Sequence, residues 1–409
     1  MKFKVSKADK KLIGEIDLEG SKSISNRILI IRSLCQDPFT IKHISESDDT
    51  IRLYELMKSK DIVLNAGEGG TTIRFLLALL ATHDGQSILT GSDSLLKRPI
   101  APLVDALNEL GADIQYLGYK GYPPLLVQGK KFESNRVEID AGISSQFISA
   151  LLLVAPVLPK GLVLKLKGNV VSSPYIRLTL EIMRYFGIRC EWSQNLISIP
   201  HQDYSARDIQ VESDWSAASY YYEMAALADE VDLQLNGLYK HTGQGDAEIH
   251  KIMQGFGVVT TFNEKGVRLS KGEATQSFFR HDFKNSPDLV QTMLATCAGL
   301  NIPAQITGVD TLMIKETNRM KAMQRELDDL GFYMNEHDGK WNLGTAGIDK
   351  LSPAHFFNTY SDHRMAMSLT PLCLRYGTIT VDNPYVVTKS YPGFWEDLIS
   401  LGFEVVEQD

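Results

Sequence analysis

Apolar residues recur along this chain in two spacings. Stretches such as Leu103-Val104-Asp105-Ala106-Leu107 and Met323-Gln324-Arg325-Glu326-Leu327 follow the three-to-four spacing of an amphipathic helix, and short β-rich runs come after them. Five segments join the two patterns through an apolar residue and a glycine: Leu110-Gly111-Ala112-Asp113-Ile114, Phe186-Gly187-Ile188-Arg189-Cys190, Phe256-Gly257-Val258-Val259-Thr260, Leu330-Gly331-Phe332-Tyr333-Met334 and Leu401-Gly402-Phe403-Glu404-Val405. Glycine just past the last helical residue takes the left-handed conformation that closes a helix, so each segment predicts a helix end followed by a strand.

Successive glycines of this set lie 70 to 76 residues apart. Such junctions are common in any α/β protein, but their regular spacing over the whole length favours duplication of a supersecondary unit. Extended backward, the period predicts a sixth unit ending near Met57-Lys58-Ser59-Lys60-Asp61-Ile62-Val63, where the glycine is missing. Six units of roughly 68 residues fill the chain, three to a domain, in an α/β fold.

Length agrees with two domains, since 409 residues exceed one ordinary core. Hydrophobic residues at 44% and charged ones at 22% are those of a globular protein. A formal charge of -8 speaks against a nucleic-acid or anionic-membrane surface. Anion binding must therefore be local. Cys35, Cys190, Cys297 and Cys373 form no CxxC pair and read as reduced thiols. The opening MKFKVSKADK lacks an apolar targeting segment, and the most apolar run, 147–158, is too short to span a membrane. A cytoplasmic protein is expected.

Small polar residues precede several apolar runs: Gly20-Ser21-Lys22-Ser23, Gly69-Gly70-Thr71-Thr72, Ser144-Ser145-Gln146, Ser213-Asp214, Pro287-Asp288 and Ser361-Asp362. A helix start exposes unpaired N–H groups and the positive end of the macrodipole, which suits phosphate and carboxylate. Ordinary capping would explain each start by itself. Basic residues accompany them, however: Lys22, Arg27, Arg74 and Arg364, with Arg98, Lys315, Arg319 and Lys389 in further compact polar contexts. Eight cations so placed could neutralise two polyanions. Walker A, dinucleotide, HExxH and GxSxG signatures are all missing, so ATP, NAD, metal and serine-hydrolase chemistry lose support.

Taken in order, nine motifs resemble the enolpyruvyl transferase family, and within it the 5-enolpyruvylshikimate-3-phosphate synthase branch. They are Gly20-Ser21-Lys22-Ser23-Ile24-Ser25-Asn26-Arg27, Gly70-Thr71-Thr72-Ile73-Arg74, Arg98-Pro99-Ile100, Ser144-Ser145-Gln146-Phe147, Ser172-Ser173-Pro174-Tyr175, Pro287-Asp288, Lys315-Glu316-Thr317-Asn318-Arg319, Asp362-His363-Arg364-Met365-Ala366-Met367 and Lys389-Ser390-Tyr391-Pro392. The resemblance implies two similar domains, each three βαβαββ-type units in an inside-out α/β barrel. Residues 20–212 would form one, residues 1–19 with 213–409 the other, and the active site would lie in the cleft between them.

It further implies transfer of the enolpyruvyl group of phosphoenolpyruvate to the 5-hydroxyl of shikimate 3-phosphate, releasing phosphate, on the way to chorismate and aromatic amino acids. No metal or cofactor, no nucleic acid and no membrane would take part, and the enzyme would be a monomer. Shikimate 3-phosphate would meet Lys22, Ser23, Arg27, Ser144, Ser145, Gln146, Ser172, Tyr175, Asp288, Thr311 and Lys315. Phosphoenolpyruvate would meet Lys22, Gly70, Arg74, Arg98, Gln146, Arg319, Arg364 and Lys389. Asp288 as proton acceptor, Glu316 as proton donor and Lys22 would carry the chemistry. By itself Lys315-Glu316-xx-Arg319 reads as a solvated helix face with an i,i+3 ion pair, and its cations would lower the Glu316 pKa. His363 reads as an orienting or packing residue.

Glu19, Glu68, Thr311 and Asn318 depart from the family's usual proline, asparagine, asparagine and aspartate, and Phe75 stands where many glyphosate-sensitive members carry proline. Gly70 nonetheless predicts glyphosate inhibition competitive with phosphoenolpyruvate. Two alternatives fit the chain less well. UDP-N-acetylglucosamine enolpyruvyl transferases carry a cysteine in the loop that corresponds to 75–97, which has none here. A catalytically silent binder of phosphorylated metabolites would not need both Asp288 and Glu316.

Overall fold

The computed structural model of the chain describes residues 1–130, 132–345 and 355–408. Two compact units divide it, Gly20–Val211 and Met1–Glu19 with Glu212–Asp409.

Five sheets share one topology: the first two strands run parallel, the second pairs antiparallel with the fourth, and the fourth with the third. In the Gly20–Val211 unit they are Val63–Asn65, Gln86–Thr90, Asp113–Tyr116 and Leu125–Gln128, then Arg136–Asp140, Leu162–Lys167, Glu191–Ser193 and Leu196–Ile199. The other unit has Lys11–Asp17, Glu230–Asn236, Phe256–Phe262 and Gly266–Ala274, then Phe279–Asp282, Ala304–Thr307, Met334–His337 and Lys340–Leu343. Its third sheet takes His355–Phe357, Ile379–Asp382 and Glu404–Gln408 from the end of the chain, and the first strand, Lys2–Ser6, fills the fourth place.

The repeat expected from the glycine spacing, in the βαβαββ form that the resemblance implies, is thus present five times among the described residues. The sixth copy is reduced to Ile41–Lys42 running parallel to Ile209–Gln210. The strand that follows the helix Asp48–Lys58 does form, as Val63–Asn65, but it opens the next sheet instead of closing the sixth. Ser59 caps that helix in an extended conformation, so the junction has no need of glycine. The other five glycines, Gly111, Gly187, Gly257, Gly331 and Gly402, all have φ between +79° and +116°.

Inside each unit lie helices that bury almost every side chain. Gly70–Ala81 and Ser145–Val154 pack together in one, with the middle of Lys22–Leu34 against both. Trp215–Leu227, Val290–Gly299 and His363–Leu369 pack together in the other. The apolar run 147–158 is such a core helix with a following turn, and no described helix is long and apolar enough to cross a membrane. Amphipathic helices cover the outside; Ala101–Leu110, for example, buries Leu103, Val104, Ala106, Leu107 and Leu110 and leaves Asp105 and Glu109 to solvent.

A methyl group at Gly257 would stand 3.0 Å from the Gly272 carbonyl oxygen and 3.2 Å from the Ala274 nitrogen, both backbone. At Gly402 the nearest atom is Lys7 Nζ at 3.2 Å, the end of a flexible side chain. Each left-handed site penalises alanine by about 1–2 kcal/mol. Gly257→Ala is expected to lower the urea midpoint more than Gly402→Ala does, and equal midpoints would show that the backbone crowding at Gly257 has no energetic weight.

Candidate active site

In the Gly20–Val211 unit, basic side chains gather at helix starts. Lys22 is the first residue of Lys22–Leu34, whose cap Ser21 makes no side-chain bond, and its Nζ lies 3.2 Å from Asp49 Oδ2. Gly70 opens Gly70–Ala81, again without a side-chain cap bond. A methyl group at Gly70 would stand 2.7 and 2.8 Å from the terminal nitrogens of Arg98 and 2.9 Å from Arg74 Nη1. Two guanidinium groups therefore close on this helix start only because the residue there has no side chain.

Arg74 is locked by its own fork. Nη1 donates to the Gly70 carbonyl at 3.4 Å and to Gln146 Oε1, Nη2 donates to the Pro99 carbonyl at 3.2 Å, and the Phe147 ring lies 4.9 Å from its Cζ. Gln146 in turn donates from Nε2 to Thr71 Oγ1 at 3.3 Å, and its backbone N–H is capped by Ser144 Oγ at 3.3 Å. Gly70, Arg74, Arg98 and Gln146 thus form one group, with Ser144 and Ser145 at its edge.

Arg27 is buried behind Lys22. Its Nε donates to Thr179 Oγ1 at 2.8 Å, Nη1 to the Ser23 carbonyl at 2.7 Å, and Nη2 to Ser149 Oγ at 3.1 Å and the Tyr175 carbonyl at 3.3 Å. Burial lowers its pKa to about 10, which leaves it a cation at neutral pH. Most of its donors brace Lys22–Leu34 against Ser145–Val154 and Ser173–Tyr185. Ser172, with φ of 54°, turns the chain into the last of these helices, and Tyr175 is half-buried in its first turn.

The second unit holds a denser cluster. Arg319, the first residue of Arg319–Asp329, is 2% exposed and contacts three carboxylates: Nε to Asp362 Oδ2 at 2.8 Å, Nη1 to Asp288 Oδ1 at 3.0 Å and Nη2 to Glu316 Oε2 at 2.9 Å. Arg364 Nη2 meets the other Asp288 oxygen at 2.9 Å and its Nη1 donates to the Tyr220 hydroxyl at 3.3 Å. Lys389 Nζ lies 3.0 Å from Glu316 Oε1.

Burial pushes the Asp288 carboxyl up, but the Arg364, Lys315 and Arg319 charges outweigh it and hold the group far below the usual carboxylate range. Burial likewise works against the Arg319 charge, and Asp362, Glu316 and Asp288 outweigh it, so its pKa rises. Asp288 is ionised at any physiological pH.

Several expected residues keep more distance or serve another purpose. Thr311 sits half-buried in the turn Asp310–Ile314 with no described hydrogen bond to the cluster. Lys315 is half-buried, and its charge reaches Asp288. His363 is buried with Nδ1 3.8 Å from Asp362 Oδ1. Asn318 accepts from the Lys321 N–H at 3.1 Å, so it caps its helix as aspartate would.

Asp49, Tyr220 and the pairing of Asp362 with Arg319 were not foreseen. Asp49 looked like any acid in a first helical turn, and Tyr220 is one aromatic in an all-buried helix; neither carries a signal of its own in the sequence.

The family model for EPSP synthase (3-phosphoshikimate 1-carboxyvinyltransferase) matches residues 6–59 and 52–398. A 3-phosphoshikimate 1-carboxyvinyltransferase of Bacteroides fragilis is 41% identical over 394 residues, covering 95% of each chain. One from Psychromonas ingrahamii is 32% identical over 423 residues, 96% of this chain and 97% of that one. The solved EPSP synthase of Acinetobacter baumannii shares the fold, with a TM-score of 0.78 at 22% identity over 99% of this chain and 100% of that one. With a family model spanning nearly its full length and relatives above 30% identity along it, the chain belongs to the EPSP synthase (3-phosphoshikimate 1-carboxyvinyltransferase) family.

Proposed function

We propose that these residues carry out the family's reaction, transfer of the enolpyruvyl group of phosphoenolpyruvate to the 5-hydroxyl of shikimate 3-phosphate with release of phosphate. Lys22, Ser23, Arg27, Ser144, Ser145, Gln146, Ser172 and Tyr175, with Asp288, Thr311 and Lys315, take shikimate 3-phosphate. Lys22, Gly70, Arg74, Arg98 and Gln146, with Arg319, Arg364 and Lys389, take phosphoenolpyruvate. The enzyme acts in this reading as a cytoplasmic monomer; the four unbridged cysteines agree with a reducing compartment.

The observation that carries the reading is the pairing of two carboxylates with cations that an anionic substrate can take over. Asp288 stands ionised between Arg319 and Arg364, and it becomes fit to accept the proton of the 5-hydroxyl as the phosphoenolpyruvate anion draws those cations to itself. Glu316 has Arg319 on one oxygen and Lys389 on the other, which suits a carboxylate and opposes a proton. A phosphoenolpyruvate anion drawing on Arg319 and Lys389 weakens both holds, so seating the substrate raises the proton affinity of its donor.

Glu316 then protonates the methylene carbon, and the neighbouring carbon becomes electrophilic. The 5-oxygen adds there as Asp288 receives its proton. A proton of the new methyl group returns to Glu316 as phosphate leaves with the proton held by Asp288, which restores the double bond. Lys22, balanced by Asp49, supplies positive charge to both ligands.

Phosphate release from phosphoenolpyruvate is expected to require shikimate 3-phosphate; release that ignores it, or none at all, refutes the reading. Asp288→Asn removes the base and is expected to lower kcat about 10²–10⁴-fold in the same assay. Gly70→Ala drives the Arg98 guanidinium off its position. Losing a charge-assisted bond of about 1.5–3 kcal/mol raises the KM for phosphoenolpyruvate roughly tenfold or more, while the KM for shikimate 3-phosphate stays near its original value. An unchanged KM for phosphoenolpyruvate would remove Gly70 and Arg98 from that site.

A further inference from the structure

The turn Gly245–Glu248 contributes two carboxylates that the reaction above does not use. Glu248 is engaged at its surface end: it accepts from Ser286 Oγ at 3.3 Å and lies 3.2 Å from His281 Nε2. Asp246 is different, being 2% exposed. Its Oδ2 accepts from Ser216 Oγ, in the first turn of Trp215–Leu227, and its Oδ1 has no hydrogen-bond partner among the described residues. The charged groups that act on it are Asp288, Arg364 and Asp214.

An ionised carboxylate with one bare oxygen in a buried site is costly, whereas the neutral acid fits there. Burial foremost, then the Asp288 charge, raise the Asp246 pKa to about 7 against the pull of Arg364 and the Ser216 hydroxyl.

We propose that Asp246 is a positioning residue for phosphoenolpyruvate: its buried carboxyl, tied to Ser216 one helical turn from Tyr220, the residue that accepts from Arg364, holds a proton and so leaves the Arg364 charge to the substrate anion. The idea rests on the assignment of Arg364 to phosphoenolpyruvate made above. With Asp246 neutral, Asp288 is the carboxylate paired with Arg364. An ionised Asp246 would add a further negative charge acting on Arg364 and compete with the substrate anion.

The sign follows directly. Asp246 holds its proton below about pH 7 and loses it above, and the substrate anion binds the protonated form, so affinity for phosphoenolpyruvate falls as pH rises through that value. The substrate phosphate is fully ionised above neutrality, so the change there belongs to the protein.

The test is the KM for phosphoenolpyruvate between pH 7 and 8.5 at saturating shikimate 3-phosphate. The native enzyme should show a rise approaching about tenfold per pH unit. Asp246→Asn cannot ionise and should give a flat profile. Ser216→Ala removes a donor that favours the carboxylate, so its rise should begin at higher pH, a movement that a merely structural role would not produce. A native profile without the rise, an Asp246→Asn profile that keeps it, or a Ser216→Ala rise that is unmoved or begins earlier overturns the proposal. Ser216→Ala decides alone if Asp246→Asn does not fold. Arg364→Gln at pH 7 separates the two ideas: a raised KM together with a persistent rise in Asp246→Asn sinks only the role of Asp246, whereas an unchanged KM sinks the assignment of Arg364 and this inference with it.

Discussion

Helices that bury nearly every side chain, such as Ser145–Val154, Trp215–Leu227 and His363–Leu369, have no solvent-exposed face for a charge. In the first two, the residue left partly exposed lies in the first turn, where backbone N–H groups lack partners and the macrodipole is positive. Thr71, Gln146 and Ser216, each the second residue of its helix, are the partly exposed members next to those starts. Lys22, Gly70, Gln146, Arg319 and Arg364 all lie at such starts, and the same burial that stabilises each unit fixes their position.

The placement creates a second demand. A cation held in a buried place needs a counter-charge whenever its ligand is away. Lys22 has Asp49, Arg319 has Asp362, Arg364 has Asp288 and Lys389 has Glu316. In the proposed reaction an acidic chain binds polyanions because substrates take over such pairs. Asp288 and Glu316 then serve first as counter-charges and afterwards as catalytic groups.

What could be read in the sequence was whatever a single residue type dictates locally. Left-handed glycines at 111, 187, 257, 331 and 402 announce helix ends because other residues resist that conformation, and their spacing exposed the repeat. The basic motifs were legible because arginine and lysine beside glycine and serine serve few other purposes. Strand order was not legible, nor was the shrinkage of the sixth sheet, since short strands become sheets only through distant partners. Asp49 and Asp246 escaped notice for a related reason: each looks ordinary in its own segment and gains its importance from a residue, Lys22 or Arg364, far along the chain.

The first strand, Lys2–Ser6, sits between Ile379–Asp382 and Glu404–Gln408 and bonds to both. Both neighbours are made long after it, so it has no partner while the residues between are being synthesised. The Gly20–Val211 unit contains all its own strands and can fold while translation continues. The unit of Met1–Glu19 and Glu212–Asp409 closes last, and loss of the edge strand Glu404–Gln408 would leave Lys2–Ser6 with one of its two neighbours.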